Sequence, residues 1–195
     1  MRTTRKHFVG DLPAKVGRKM LQKITRILVW ISVIAWSLWF GGLMYEMVVI
    51  LPLWSSALPE SVIEWNSRPQ FVINPTRYYV PVAVTCVLSS VGAFITAWKV
   101  GKNWFWHLIS AACAIATLGF TLIYFFSKNE VLFRNQYGGF NGEKITAIAN
   151  AWIAGNWVRV VIMAIGFLAA LSALSAAALR VKNNGAANRS LDANG

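Results

Sequence analysis

Apolar residues along this chain gather in four long blocks, not at the three-to-four-residue spacing of a surface helix. Ile27 to Trp54 is the first block and holds a single charged residue, Glu46. Tyr78 to Trp98 and Trp104 to Phe126 hold none, and Trp152 to Leu179 holds only Arg159. A helix needs about 20 mostly apolar residues, at about 1.5 Å each, to cross a hydrocarbon layer about 30 Å thick. The pattern therefore predicts membrane spans over 27–54, 78–98, 104–126 and 152–179. Backbone polar groups inside lipid must bond within their own segment, which makes each span a helix. The fold class predicted is all-α: a polytopic membrane protein built as an antiparallel four-transmembrane-helix bundle over residues 27–180, with no second domain and no internal repeat. Tyr78, Tyr79, Trp98, Trp104, Trp106 and Trp152 stand at block ends, where interfacial aromatics are expected.

The segments between blocks carry their own patterns. Within residues 1–26, Leu12, Val16, Met20 and Ile24 recur every four residues among basic positions. This predicts an amphipathic interfacial helix held by anionic lipid. The connection from Ser55 to Arg77 contains Pro59, Pro69 and Pro75 together with Trp65 and Phe71, with Trp54 just before it. It is too apolar for a free linker and is expected to fold back as a cap over one mouth of the bundle. From Lys128 to Asn150, Gly138, Gly139 and Gly142 predict a loop, and Glu143 to Ala151 a helix start leading into the last block. Residues 181–195 are rich in Asn, Gly, Ala and Ser and are expected to be a disordered cytoplasmic tail.

Composition sharpens this picture. Of 195 residues, 56% are hydrophobic and only 13% charged, which excludes a disordered chain. The formal charge of +12 would suggest a nucleic-acid binder in a soluble protein. Here it reads as a topology signal. Eight Lys or Arg residues precede the first block, Lys99 and Lys102 lie between the second and third, and Arg180, Lys182 and Arg189 follow the fourth. Four crossings put these regions on one side, and the positive-inside rule makes that side cytoplasmic. The expected location is the cell (inner) membrane, multi-pass, with both termini in the cytoplasm. The expected partners are the lipid bilayer and a hydrophobic small molecule, with no nucleic acid; a homo-oligomer or a partner subunit is left open.

The two charges inside the blocks are the most informative residues. A charge at the bilayer centre costs at least about 2.5–3.5 kcal/mol on insertion scales, so such groups face the protein interior and find partners. Glu46 lies seven residues before Leu53, and Arg159 seven after Trp152. Both are about 10 Å below the same end of the bundle. Matching depths predict a Glu46–Arg159 ion pair between the first and last spans. Tyr45 adjoins Glu46, and Asn156 and Trp152 share a helical face with Arg159. Tyr124 lies near the outer end of the third block with Asn129 just beyond it, and Gly42 would let a ligand or helix come close. Together these residues predict a polar pocket in the outer half of the bundle. Elsewhere the chemistry is thin. His7 and His107 are far apart and on the other side, so no metal site is expected and His107 is read as interfacial. Cys86 and Cys113 form no CxxC motif, and both read as buried packing residues. Ser90 and Ser110 read as ordinary interhelical contacts.

Phe40-Gly41-Gly42-Leu43-Met44-Tyr45-Glu46, with Val48-Val49-Ile50 and Pro52-Leu53-Trp54 after it, resembles the opening of small integral membrane proteins of the DUF1772 group. Trp152, Asn156 and Arg159 resemble that group's Trp/Asn/Arg signature, and Thr121 to Phe126 its aromatic third helix. The group is similar to anthrone oxygenases, which oxidise tricyclic phenolic compounds to quinones with dioxygen. This sequence departs from the simplest pattern in its long basic arm and in the Met44 and Met47 that flank Tyr45-Glu46. The resemblance implies oxidation of a phenolic or anthrone-like substrate, with Glu46, Arg159, Asn156 and Tyr45 catalytic. Glu46 would be the base, Arg159 the oxyanion partner, and Asn156 and Tyr45 hydrogen-bond donors. Trp152, Tyr124, Asn129 and Gly42 would hold the substrate. It implies no resident cofactor, with dioxygen as co-substrate, and leaves room for a bound quinone or lipid. A non-catalytic scaffold or accessory subunit, and a small proton-coupled transporter, are the alternatives.

Overall fold

The computed structural model describes residues 11–68, 75–101, 104–134 and 139–192, with side chains placed from Val16 to Ala176. The expectations for residues 1–10, Pro69, Phe71, Lys102, Gly138 and the last three residues lie outside this set. The described residues form helices joined by short turns, with no strand among them, and four of the helices are long and apolar enough to span a bilayer: Val16–Ser55, Thr76–Val100, Trp104–Phe133 and Gly142–Ala176. The protein is a multi-pass membrane protein with the four-helix architecture its pattern predicts.

Helix α1 covers Asp11–Tyr45, followed by a π-helical turn over Glu46–Ile50 and the short α2 over Leu51–Ser55. Helix α3 (Glu60–Ser67) lies across the end of the bundle, and α4 (Thr76–Val100) returns. Helix α5 (Trp104–Phe120) continues through a second π-turn, Thr121–Phe125, into α6 (Phe126–Phe133). The last helix, α7, runs from Gly142 to Asp192. Packing follows a ring in which α1 touches α4 and α7, and α5 touches the same two. Gly101 closes α4 with φ of 74°, a left-handed cap open to glycine, and its N–H reaches the carbonyls of Ala97 and Trp98.

Two sequence expectations change here. The basic arm is helical but not separate, because α1 is unbroken from Asp11 to Tyr45. Its 35 residues reach about 52 Å, longer than the hydrocarbon layer, so the arm prolongs the first span. No break in the described helix divides the arm from the span. At the other end, α7 remains helical over residues 181–192, which composition had left disordered. The alanines at 186 and 187 and the preceding Ala176–Ala178 run favour continuing a helix already nucleated by the span.

Lipid gives helices little hydrophobic reason to associate, so close packing must hold the ring. Small residues line the contacts: Ala83, Ala93, Ala97, Ala111, Ala114, Ala169, Ala170 and Ala173 are all buried. Trp36 is the central knob, and Gly166 is its hole. A Cβ at Gly166 would come within 2.5 Å of the indole. Leu43, Met47 and Met163 complete this core. A second core closes one end, where Trp54, Val62, Phe125, Leu132, Ile145, Ala149 and Trp152 pack together. The Ser61 hydroxyl donates to the Trp54 carbonyl at 2.8 Å, and Asn66 donates to the Leu132 carbonyl. These bonds pin α3 onto α2 and α6, so the described part of the Trp/Pro connection, up to Arg68, packs over one end of the bundle.

Candidate functional site

Glu46 opens the first π-turn, and its neighbourhood explains why the helix widens there. Pro52 lacks an N–H, and its ring crowds the carbonyl four residues back. The backbone responds by stepping to a wider bond, in which Leu51 N–H donates to Glu46 O. Glu46 faces α7 from this turn. Arg159 Nη2 stands 3.9 Å from Glu46 Oε2, so the predicted pair forms at ion-pair distance but beyond hydrogen-bond length. Tyr79, on α4, donates its hydroxyl to the same Oε2 at 3.3 Å. The Arg159 guanidinium carbon lies 4.8 Å from the centre of the Phe125 ring, a cation–π contact supplied by the second π-turn. Both irregular turns thus deliver a group to one centre.

That centre is buried and incompletely bonded. Asn156 is fully buried, one turn from Arg159, and its amide donates to the Trp152 carbonyl at 3.1 Å. Its Oδ1 has no hydrogen-bond partner, and neither has Arg159 Nε. The hydroxyl of Thr117 is a third buried orphan. Tyr124 against Gly155 and Cys113 against Gly166 fix the register of α5 on α7 and put Thr117 at the level of Val160 to Met163. An unpaired buried polar atom costs about 1–3 kcal/mol, so three within two turns mark a place where the fold leaves bonding capacity unused.

The other predicted residues sort into distinct places. Trp152, Tyr124 and Asn129 form a layer between the centre and the cap. Trp152 Nε1 donates to Asn129 Oδ1 at 2.8 Å, and the Tyr124 hydroxyl donates to Ala151 O at 2.9 Å. Trp152 meets Trp54, Phe125 and Phe133 edge-to-face, with centroids 5.3 to 5.8 Å apart. It is a buried wall, not the interfacial aromatic its position suggested. Phe125 joins this wall to Arg159. Gly42 seats two rings, since a Cβ there would come 3.0 Å from Tyr78 Cε1 and 3.2 Å from Tyr79 Cε1. Tyr45 is not brought in. Its side chain is 59% exposed on the outer surface of α1, and Tyr79 takes the place beside Glu46 that Tyr45 was expected to fill.

Sequence reasoning missed Tyr79 and Phe125. Tyr79 was read as an interfacial aromatic, although it lies on a span of depth comparable to Glu46. Among the described residues no group of three or more His, Cys, Asp or Glu side chains is placed to hold a metal ion.

A four-helix multi-pass membrane protein with one buried Glu–Arg centre, walled by aromatics near a single capped end, is the class that fold and site define. The sequence model of the anthrone oxygenase family matches residues 70–169, just over half of the chain, and the chain belongs to that family. The match takes in Tyr79, Tyr124, Phe125, Trp152, Asn156 and Arg159 and begins after Glu46. No curated protein and no solved structure matches the chain.

Proposed function

We propose that this protein oxidises a hydrophobic phenolic or anthrone-like compound at the Glu46–Arg159 centre, with dioxygen as oxidant and no resident cofactor. The observation that carries the proposal is the unused bonding capacity. Arg159 Nε offers a buried donor and Asn156 Oδ1 a buried acceptor, one turn apart on α7. A ligand with a ring oxygen acceptor next to a hydroxyl donor satisfies both. A pair serving only to fix helix register gains nothing from leaving them open. Family membership supports the same reading.

The chemistry follows from the groups present. Glu46 takes a proton from the acidic ring methylene, and the resulting enolate oxygen is held by Arg159 and the neighbouring amide. Tyr79 holds the Glu46 carboxylate in place. Dioxygen takes electrons from the carbanion, a C–O bond forms, and the proton on Glu46 passes to the outer oxygen to give a hydroperoxide. Loss of water then breaks the O–O bond and the remaining C–H bond, leaving a second ring carbonyl. The methylene loses two hydrogens and gains one oxygen, the other oxygen leaves as water, and Glu46 ends as it began. Phe125 offers a flat face for the substrate. The Glu46 side chain retains 24% exposure beside the exposed Tyr45 and Val49, which gives an apolar substrate a lateral path from the acyl chains.

The excess of Lys and Arg on the side of both termini supports a cytoplasmic location for them, and so a site in the outer half of a bacterial-type inner membrane. The transporter alternative needs a polar route from Glu46 to the far end. Trp36, Trp39, Leu43 and Met163, all buried, fill that route.

Purified protein in detergent, supplied with an anthrone, tests the proposal through dioxygen uptake. Glu46→Gln and Arg159→Lys are each expected to lower turnover by about 100-fold or more, the scale of a lost general base or oxyanion partner. Unchanged uptake in both variants overturns the assignment.

A further inference from the structure

The half of the bundle away from Glu46 contains a second polar group of side chains. Ser32 from α1, Ser90 from α4 and Ser110 from α5 are each buried. The Ser32 and Ser90 hydroxyls lie 2.7 Å apart, and Ser110 Oγ lies 3.5 Å from Ser90 Oγ. Trp36 Nε1 donates to Ser110 Oγ at 2.9 Å. His107, one turn before Ser110, turns inward and is 8% exposed, where sequence position had suggested an interfacial residue. The three serines and His107 border a small cavity completed by Val29, Ala93, Ala170 and Ala173, so all four long helices contribute to its wall.

Hydrogen counting shows what the cavity is built to hold. Trp36 uses one acceptor site of Ser110. The Ser90 hydroxyl also bonds the Cys86 sulfur, so the three hydroxyl protons all have partners, while the serine oxygens keep unused acceptor sites. His107 lines the cavity, and its imidazole offers one donor and one acceptor in the neutral form. The cavity measures about 10 Å³, close to the space one water centre needs. The apolar layer of Trp36, Trp39, Leu43 and Met163 separates it from the Glu46 centre, so it is not an extension of that site.

We infer that this cavity is a hydration site for a single water. The water donates to a serine oxygen and bonds to His107, closing a belt of hydrogen bonds across α1, α4 and α5. Buried waters make about three such bonds and are costly to displace. In lipid, where apolar contact alone does little to favour one helix register, the belt fixes how α1, α4 and α5 meet.

The full chain in detergent tests this by thermal unfolding of four proteins: wild type, Val29→Ile, His107→Leu and the double variant. Val29→Ile adds one methylene to the cavity wall, about the bulk of a water. A hydrated cavity loses its water, and Tm is expected to fall by about 2–4 °C. In the His107→Leu background that loss is expected to disappear, because the group left unpaired is gone. A rise in Tm for Val29→Ile means the cavity is dry and overturns the inference. An equal fall in both backgrounds means simple overpacking and overturns it as well. Should His107→Leu not fold, His107→Gln serves instead: it keeps a donor and an acceptor, so the fall must persist, and its absence counts against the water. None of these outcomes depends on whether the Glu46 centre is catalytic.

Discussion

Tyr79 donates its hydroxyl to Glu46 Oε2 across 3.3 Å, reaching from α4 to the π-turn after α1, while Tyr45, next to Glu46 in sequence, faces outward. A helix places successive side chains about 100° apart, so adjacency in sequence is separation in space. The partner of a buried carboxylate comes from the helix packed against it.

Tyr79→Phe is therefore expected to lower turnover about tenfold or more, by freeing the Glu46 carboxylate, with a stability loss near 1 kcal/mol for one hydrogen bond. Tyr45→Phe is expected to leave both unchanged. Dioxygen uptake and thermal unfolding on the same preparations separate the two. A larger activity loss for Tyr45→Phe would reverse the assignment.

Removing one member of the Glu46–Arg159 pair leaves a buried charge without its partner. Arg159→Met alone is expected to destabilise by about 3–5 kcal/mol. Glu46→Gln combined with Arg159→Met is expected to recover much of that loss and none of the activity. Equal instability of the single and double variants would show that Arg159 contributes through its packing on Phe125, not through Glu46.

Glycines at close contacts should divide sharply from glycines in open space. Gly166→Ala drives a methyl to 2.5 Å from Trp36 and 2.8 Å from Cys113 Cβ, and is expected to cost about 1–3 kcal/mol. Gly41→Ala and Gly119→Ala meet nothing within 4 Å and are expected to be neutral or mildly stabilising. Gly42→Ala presses on the Tyr78 and Tyr79 rings and is expected to reduce turnover more than stability. Unfolding in detergent ranks all four, and a Gly166→Ala protein as stable as Gly41→Ala would contradict the packing described.

How far these features were legible in the sequence depends on the physics behind each. The spans were legible because lipid demands long apolar runs. The Glu46–Arg159 contact was legible because two costly charges at equal depth have a strong reason to meet. His107 and its serines were not, since a polar residue near a block end reads equally well as interfacial or inward-facing. The separate N-terminal helix and the disordered tail were expected from charge and composition. Neither weighs the cooperativity that lets a span prolong itself in both directions. The first π-turn left only an indirect trace, Pro52 six residues after Glu46, and the second, at Thr121–Phe125, has no proline beside it.

That trace leads to the most specific prediction. Arg159 and Trp152 are seven residues apart on α7 and so share a face, about 20° off alignment. Their partners, Glu46 and Trp54, are eight apart, which in a uniform α-helix would set them about 80° out of line. The π-turn between them absorbs the extra residue, so that eight positions span the turn of seven and both contacts form. Deleting Val48, whose side chain is exposed, removes that extra residue. Combined with Pro52→Ala, which relieves the clash that favours the wider turn, the deletion is expected to give a plain α-helix that keeps both contacts. The protein should fold with Tm close to that of Pro52→Ala alone. Deleting Ile34 instead, equally exposed but in the regular part of α1, should rotate everything beyond it by about 100° and prevent folding. Equal failure of the two deletions would mean that the turn at Glu46 does not compensate a register difference between the first and last helices.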